Sequence, residues 1–135
     1  MNSSPKHFFL YQFPALAWAA IIFIASSSPG PQMPQLAHLV NDKIIHASIY
    51  FVFGLLIYRA FATRENPDEF VWRRVIFSVV LVILYGVSDE FHQGFVPGRT
   101  KDILDASADA FGGLVSAVVV YLLSRRKAGK VAGSM

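Results

Sequence analysis

The side chains able to do chemistry are concentrated in two stretches. Residues 85–113 read YGVSDEFHQGFVPGRTKDILDASADAFGG and hold five of the nine acidic residues: Asp89, Glu90, Asp102, Asp105 and Asp109. Arg99 and Lys101 sit among them. A shorter stretch holds Asp42, Lys43, His46 and Tyr50. Two kinds of chemistry fit these residue types. Lysine and arginine can take a phosphate, with imidazole, phenol and amide groups hydrogen-bonding to it. Carboxylates with a histidine can hold a divalent cation, which bridges to phosphate or activates water.

The first chemistry names Lys43, His46, Tyr50, Gln93 and Arg99 as the substrate-binding set. The second names Asp89, Glu90, Asp105 and Asp109 as metal-ligand candidates, joined by His46. Oxygen ligands alone suit Mg²⁺, Mn²⁺ or Ca²⁺; adding His46 or His92 suits Zn²⁺. The catalytic candidates at such a centre are His46, Asp89, Glu90 and Asp109. The spacing matches no dedicated metal motif such as H-E-x-x-H. Neither Ser48 nor Ser88 lies in a G-x-S-x-G turn, so a serine nucleophile has little support. The absence of Cys excludes disulfides, thiolate nucleophiles and Cys-based metal sites. A plainer reading stands beside both chemistries: the charges form an interhelical salt-bridge cluster that fixes packing.

The elements that must position these residues are apolar. The chain has 135 residues, of which 54% are hydrophobic, and a mean hydropathy of +0.46. Four runs, at about 8–26, 44–63, 70–92 and 103–124, approach the ~20 residues that cross a bilayer as a helix. The first exceeds the ~7–15 apolar residues of a signal peptide, so it reads as a span. Val75–Val87 offers only Ser78 and Tyr85 as polar groups, not the polar stripe of a soluble helix. The expectation is an all-α, integral membrane four-helix bundle. It forms a single domain over 1–135, with a mobile basic tail from about 125. Pro29, Pro31 and Pro34 mark a loop after the first span, and Thr63–Glu69 reads as a charged turn. Asp42 and Asp102 read as the N-caps of spans two and four.

Nine of the twelve Lys and Arg residues fall on the face shared by the termini and the middle loop. Lys43, Arg99 and Lys101 fall on the other. The excess places both termini in the cytoplasm and the polar stretches outside. The basic residues do not line one element between aromatics, which argues against nucleic acid. On the outer face six acids, Asp42, Asp89, Glu90, Asp102, Asp105 and Asp109, stand against three fixed cations. An anion is then welcome only if acids are protonated or a metal binds.

Helical periodicity brings the two stretches together. At about 100° per residue, Asp102, Asp105, Asp109, Gly112 and Ser116 lie within an arc of about 80°. Asp109 sits about 10 Å deeper than Asp102 at ~1.5 Å per residue. An acid at that depth must be paired, hydrogen-bonded or protonated. Gly112 and Gly113 allow a neighbouring helix to approach. In span three, Ser78, Tyr85, Asp89 and Gln93 share a stripe, with Gly86 beside it. Asp89 and Glu90 lie at a helix C-terminus, where the dipole disfavours them. Lys43, Arg99 or Lys101 are the expected partners, and His92 can reach back to Asp89. In span two, Lys43, His46, Tyr50 and Gly54 share one stripe. Arg59 and Arg64 read as snorkelling anchors, and Trp18 and Trp72 as anchors or packing residues.

Two blocks resemble the VanZ-like family of small bacterial membrane proteins. One is D-K-x-x-H-x-x-x-Y, carried by Asp42, Lys43, His46 and Tyr50. The other is D-E-x-x-Q-x-F-x-P-x-R, carried by Asp89, Glu90, Gln93, Phe95, Pro97 and Arg99, and continuing through Asp105, Asp109 and Gly112. Ser27, Ser28 and Pro29 resemble the family's Ser-rich end of span one. Some members have Asn where this chain has Asp109, which changes the charge of the pocket. The resemblance implies a multi-pass protein of the bacterial cytoplasmic membrane. The family's namesake is associated with resistance to the glycopeptide teicoplanin by a route that leaves the peptidoglycan precursor unmodified.

Three functions follow as expectations. The first is binding of a phosphorylated lipid or envelope-precursor head group, with membrane lipids as partners. The second is a metal-dependent membrane hydrolase or transferase acting on a lipid-linked substrate, with a divalent cation as cofactor. The third is a non-catalytic scaffold that contacts an envelope protein or a glycopeptide antibiotic.

Overall fold

The computed structural model describes the backbone of residues 5–29, 36–61, 71–99 and 101–132, with the side chains of all but 36–41 and 127–132. Four long helices are long and apolar enough to cross a membrane. The first, α1, runs over Pro5–Ser26. Its stretch Phe8–Gln12 is π-helical, and the Phe13 amide donates to the Phe8 carbonyl. Pro14 explains the widened turn, since it has no N–H for the Leu10 carbonyl. The second helix, α2, spans Leu36–Ala60. The third, α3, spans Val71–Gln93, and the fourth, α4, Ile103–Ala132.

These bounds correct two expectations. Asp42 is not an N-cap: α2 begins at Leu36 and carries Asp42 in its interior. Leu36 to Val40 contains no Gly or Pro to stop it, and Leu and Ala favour a helix. Likewise α4 continues past 124 to Ala132, so Arg125 and Arg126 lie on the helix and not on a tail. Asp102 does cap α4, its Oδ1 accepting the Leu104 amide at 2.8 Å. The charged turn at Thr63–Glu69, Arg64 with it, and the loop from Gly30 to Pro34 lie outside the described residues.

The bundle inverts the usual distribution of polarity. Phe9, Leu10, Ile24, Phe77, Leu84 and Leu114 are among many large apolar side chains at least half exposed. Hydrocarbon is their natural solvent. The interior holds Ile22, Tyr50, Phe53, Ile57 and Val82, together with Ser78, Asp89, Glu90, Gln93, Asp105, Asp109 and Ser116. Helix α4 packs mainly on α2 and then on α3, while α1 lies along α2 and touches α3. The α2–α4 contact is close because of Gly112. A Cβ there would collide with the Ala47 carbonyl oxygen and lie 2.9 Å from the Phe51 nitrogen. Trp18 ties α1 to α2, its indole N–H donating to the Ile49 carbonyl at 3.1 Å. It is a packing residue, whereas Trp72 is 57% exposed.

Candidate functional site

All four helices bring polar groups to one end of the bundle, in three linked sets. The first joins α2 to the start of α4. The Lys43 ammonium donates to Asp102 at 2.7 Å and also to Asp105. Lys43 lies one turn before His46 on the stripe that faces α4, so its flexible stem reaches the first turn of that helix. Its hydrogen bond, followed by that of the Leu104 amide, holds the Asp102 carboxyl below the usual carboxylate range. This departs from the expected pairing with Asp89 or Glu90: Lys43 takes Asp102 and Asp105 instead, the acids of the helix turn nearest its stem.

The second set joins α3 to α1. Asp89 accepts the Ser26 hydroxyl at 2.6 Å on one oxygen and the Gln93 amide at 3.0 Å on the other. Arg99 donates to the Gln93 carbonyl oxygen at 3.3 Å. Its other nitrogens donate to the Ser28 carbonyl at 3.1 Å and the Ala25 carbonyl at 3.4 Å. Arg99 therefore closes the C-terminal end of α1, where exposed carbonyls and the dipole favour a cation. His92 bonds Ser27 at 2.9 Å and stacks on Phe23, so it does not reach back to Asp89. Lys101 lies over the Phe91 and Phe95 rings at 4.5 and 5.5 Å, not against a carboxylate. Aromatic faces attract an ammonium that would otherwise need a long reach inward.

The third set is the deepest. His46 Nδ1 is 2.9 Å from Asp109 Oδ1. Glu90 accepts the Asp102 amide at 3.0 Å on Oε2. Gly86 gives this set its room: a Cβ there would lie 3.1 Å from Asp109 Cβ and 3.4 Å from the Tyr50 ring. Three oxygens at this depth have no hydrogen-bond partner among the described residues: Glu90 Oε1, Asp109 Oδ2 and the Tyr50 hydroxyl. Tyr50 is thus in place as a donor, with its hydroxyl uncommitted. One nitrogen of His46 and one oxygen each of Glu90 and Asp109 lie within 4.8 Å of one another, as do atoms of Asp42, His46 and Asp105.

Of the residues singled out in the sequence, His46, Glu90, Asp109 and Tyr50 converge, with Lys43, Asp102 and Asp105 above them. Asp89 stands apart as a metal candidate, because both its oxygens are engaged by Ser26 and Gln93. Lys43 and Arg99 serve different helices and do not meet on one ligand position. Ser26 escaped the sequence reading, since a serine at the end of an apolar run carries no periodic signal. Tyr85 donates to the Ala19 carbonyl at 2.6 Å, which also pins α1 to α3. An apolar pocket of about 500 Å³ opens between α1, α2 and α3, lined by Ala15, Ala19, Phe53, Ile57 and Tyr85 among others. Tyr85 lies one helical turn before Asp89, so the pocket begins just beneath the polar end.

Comparison with known proteins locates the chain. Residues 9–124 match the VanZ/LLP1 family. An uncharacterised protein of Schizosaccharomyces pombe is 28% identical over 100 residues, covering 73% of this chain and 57% of that relative. The chain thus spans little more than half the length of the curated relative it matches. No solved structure matches it.

Proposed function

Since the chain belongs to the VanZ/LLP1 family of multi-pass membrane proteins, we propose that its polar end binds the phosphorylated head group of a lipid or lipid-linked envelope precursor. The observation that carries this reading is the pairing of two surfaces along α3. A buried polar cluster begins at Asp89, and an apolar pocket of about 500 Å³ begins at Tyr85, one turn away. A lipid presents the same sequence of surfaces, a charged head above a hydrocarbon chain. Lys43 is the cation placed for the phosphate. Its side chain keeps 22% of its exposure, and Asp102 and Asp105 hold it in one position. A phosphate arriving there meets an ordered ammonium, and the negative charge of Asp102 and Asp105 beside it must be offset by protonated acids or a bound cation. Arg99 supports the site indirectly, by fixing α1 and Gln93.

The excess of Lys and Arg on the opposite face supports an outward orientation for this end, in the cytoplasmic membrane for a bacterial chain. The fission-yeast relative favours a lipid phosphate over a precursor confined to bacterial walls. Any glycopeptide protection would then be secondary to head-group binding. The scaffold reading is weakened by the three buried oxygens that have no partner among the described residues, since a cluster evolved only for packing satisfies its polar atoms. The test is mass spectrometry of the lipids that stay with the chain in mild detergent. The wild type should retain phosphorylated lipids selectively, and Lys43→Gln should lose that selectivity. A lipid profile that mirrors the bulk membrane in both proteins would refute the reading.

A further inference from the structure

The unpartnered oxygens are arranged in a way that packing alone does not explain. Glu90 is 7% exposed, Tyr50 1% and Asp109 0%. Each carboxylate has one oxygen held by the protein and one left over. Glu90 Oε2 is fixed by the Asp102 amide and Asp109 Oδ1 by His46, while Glu90 Oε1 and Asp109 Oδ2 have no partner among the described residues. A buried carboxylate oxygen without a partner costs about 1–3 kcal/mol or more. Two such acids side by side also repel each other at close range in a medium that screens them poorly. Glu90, held on one side by the Asp102 amide and open on the other, resembles a ligand oriented by an outer shell.

We infer that His46, Glu90 and Asp109 bind a divalent transition cation, Zn²⁺ or Mn²⁺, with the Tyr50 hydroxyl beside it. One ligand atom of each lies within 4.8 Å of the others, close enough that small side-chain shifts bring all three to the ~2.0–2.2 Å at which donors hold a shared ion. One imidazole with two carboxylates suits these ions better than Ca²⁺, which takes six to eight oxygens. The cation offsets the two buried negative charges. It also supplies the positive charge that the outer end lacks, where six acids face three cations of which Arg99 and Lys101 are engaged elsewhere. This inference rests on the head-group reading for its purpose, since an ion there would draw a phosphate toward Lys43. It does not rest on that reading for its existence.

The experiment is calorimetric titration of the full chain in mild detergent, stripped with EDTA, with Zn²⁺ and separately with Mn²⁺. One ion per chain is expected, with affinity reduced at least ~tenfold by Glu90→Gln and by Asp109→Asn, as loss of a ligand or its support does. Asp42→Asn should leave uptake unchanged, because Asp42 is exposed and belongs to a different group with His46 and Asp105. Absence of saturable uptake overturns the inference. So does uptake that Asp42→Asn weakens and Glu90→Gln leaves intact. Should a variant fail to fold, the X-ray absorption spectrum of the wild type with Zn²⁺ decides: one imidazole among oxygens supports the site, and an all-oxygen shell overturns it. Ion uptake without preference for phosphorylated lipid sinks the head-group reading alone. Lipid preference that survives EDTA, with no ion taken up, sinks the ion site alone.

Discussion

The contact at Gly112 sets the spacing of the two helices that carry His46 and Asp109, and its removal has a calculable effect. In Gly112→Ala the new methyl would overlap the Ala47 carbonyl oxygen and lie 2.9 Å from both the Ala47 carbonyl carbon and the Phe51 nitrogen. These are backbone atoms inside α2, so no rotamer change relieves them. The helices must part by at least about 0.6 Å to bring the 2.9 Å pairs to ordinary contact near 3.5 Å, and by more to clear the Ala47 oxygen. Overpacking of this kind costs about 1–3 kcal/mol, and rigid backbone partners place it near the upper limit. Alanine returns ~1 kcal/mol of helix propensity relative to glycine. The net expectation is a loss of about 2 kcal/mol. Gly113→Ala is the control. Its methyl meets Val82 Cγ1 at 2.6 Å and Cβ at 3.1 Å, a side chain that yields more readily than backbone, so with the ~1 kcal/mol propensity gain it should cost less than Gly112→Ala. Reversible unfolding in detergent, followed by circular dichroism, measures both. If Gly112→Ala is as stable as Gly113→Ala, the helices are not in backbone contact at this point and the positioning argument for His46 and Asp109 fails.

Other consequences follow from the same contacts. Arg99→Ala removes three hydrogen bonds, two of them to the end of α1; hydrogen exchange at residues 26–28 should accelerate, and unchanged protection would show that Arg99 does not hold that end. Ser26→Ala leaves Asp89 Oδ1 buried without its donor and should cost about 1–3 kcal/mol in the same unfolding assay. Asp102 has a folded-state pKa lowered by Lys43 and the Leu104 amide. Its stabilising contribution is therefore complete above the unfolded value of about 3.9 and is lost as pH falls through the lower folded value. Wild type and Asp102→Asn should differ in stability at neutral pH and converge on strong acidification; a gap that persists there would contradict the assignment.

Much of this was legible in the sequence because helical periodicity carries it. The stripe of Asp102, Asp105, Asp109 and Gly112 faces α2, and Lys43, His46 and Tyr50 face back, as 100° spacing requires. Depth singled out Asp109, which is fully buried. What periodicity does not encode is partner choice between helices. Arg99 reaches carbonyls 71 and 74 positions away, and carbonyls have no sequence signature. Lys101 prefers rings six and ten positions back in the chain to distant acids, a local choice between two competing attractions. Asp42 failed as a cap because a side chain competent to cap does so only where the helix starts. The preceding Leu36–Val40 segment was already helical.

The central claim is that the polar end recognises phosphate on a lipid. Its most direct test is equilibrium binding of two lipids with identical chains, one carrying a phosphate monoester and one a free hydroxyl, to the chain in mild detergent. The wild type should clearly prefer the phosphorylated lipid, and Lys43→Gln should bind the two nearly equally. Equal binding by the wild type, or a preference untouched by Lys43→Gln, would contradict phosphate recognition.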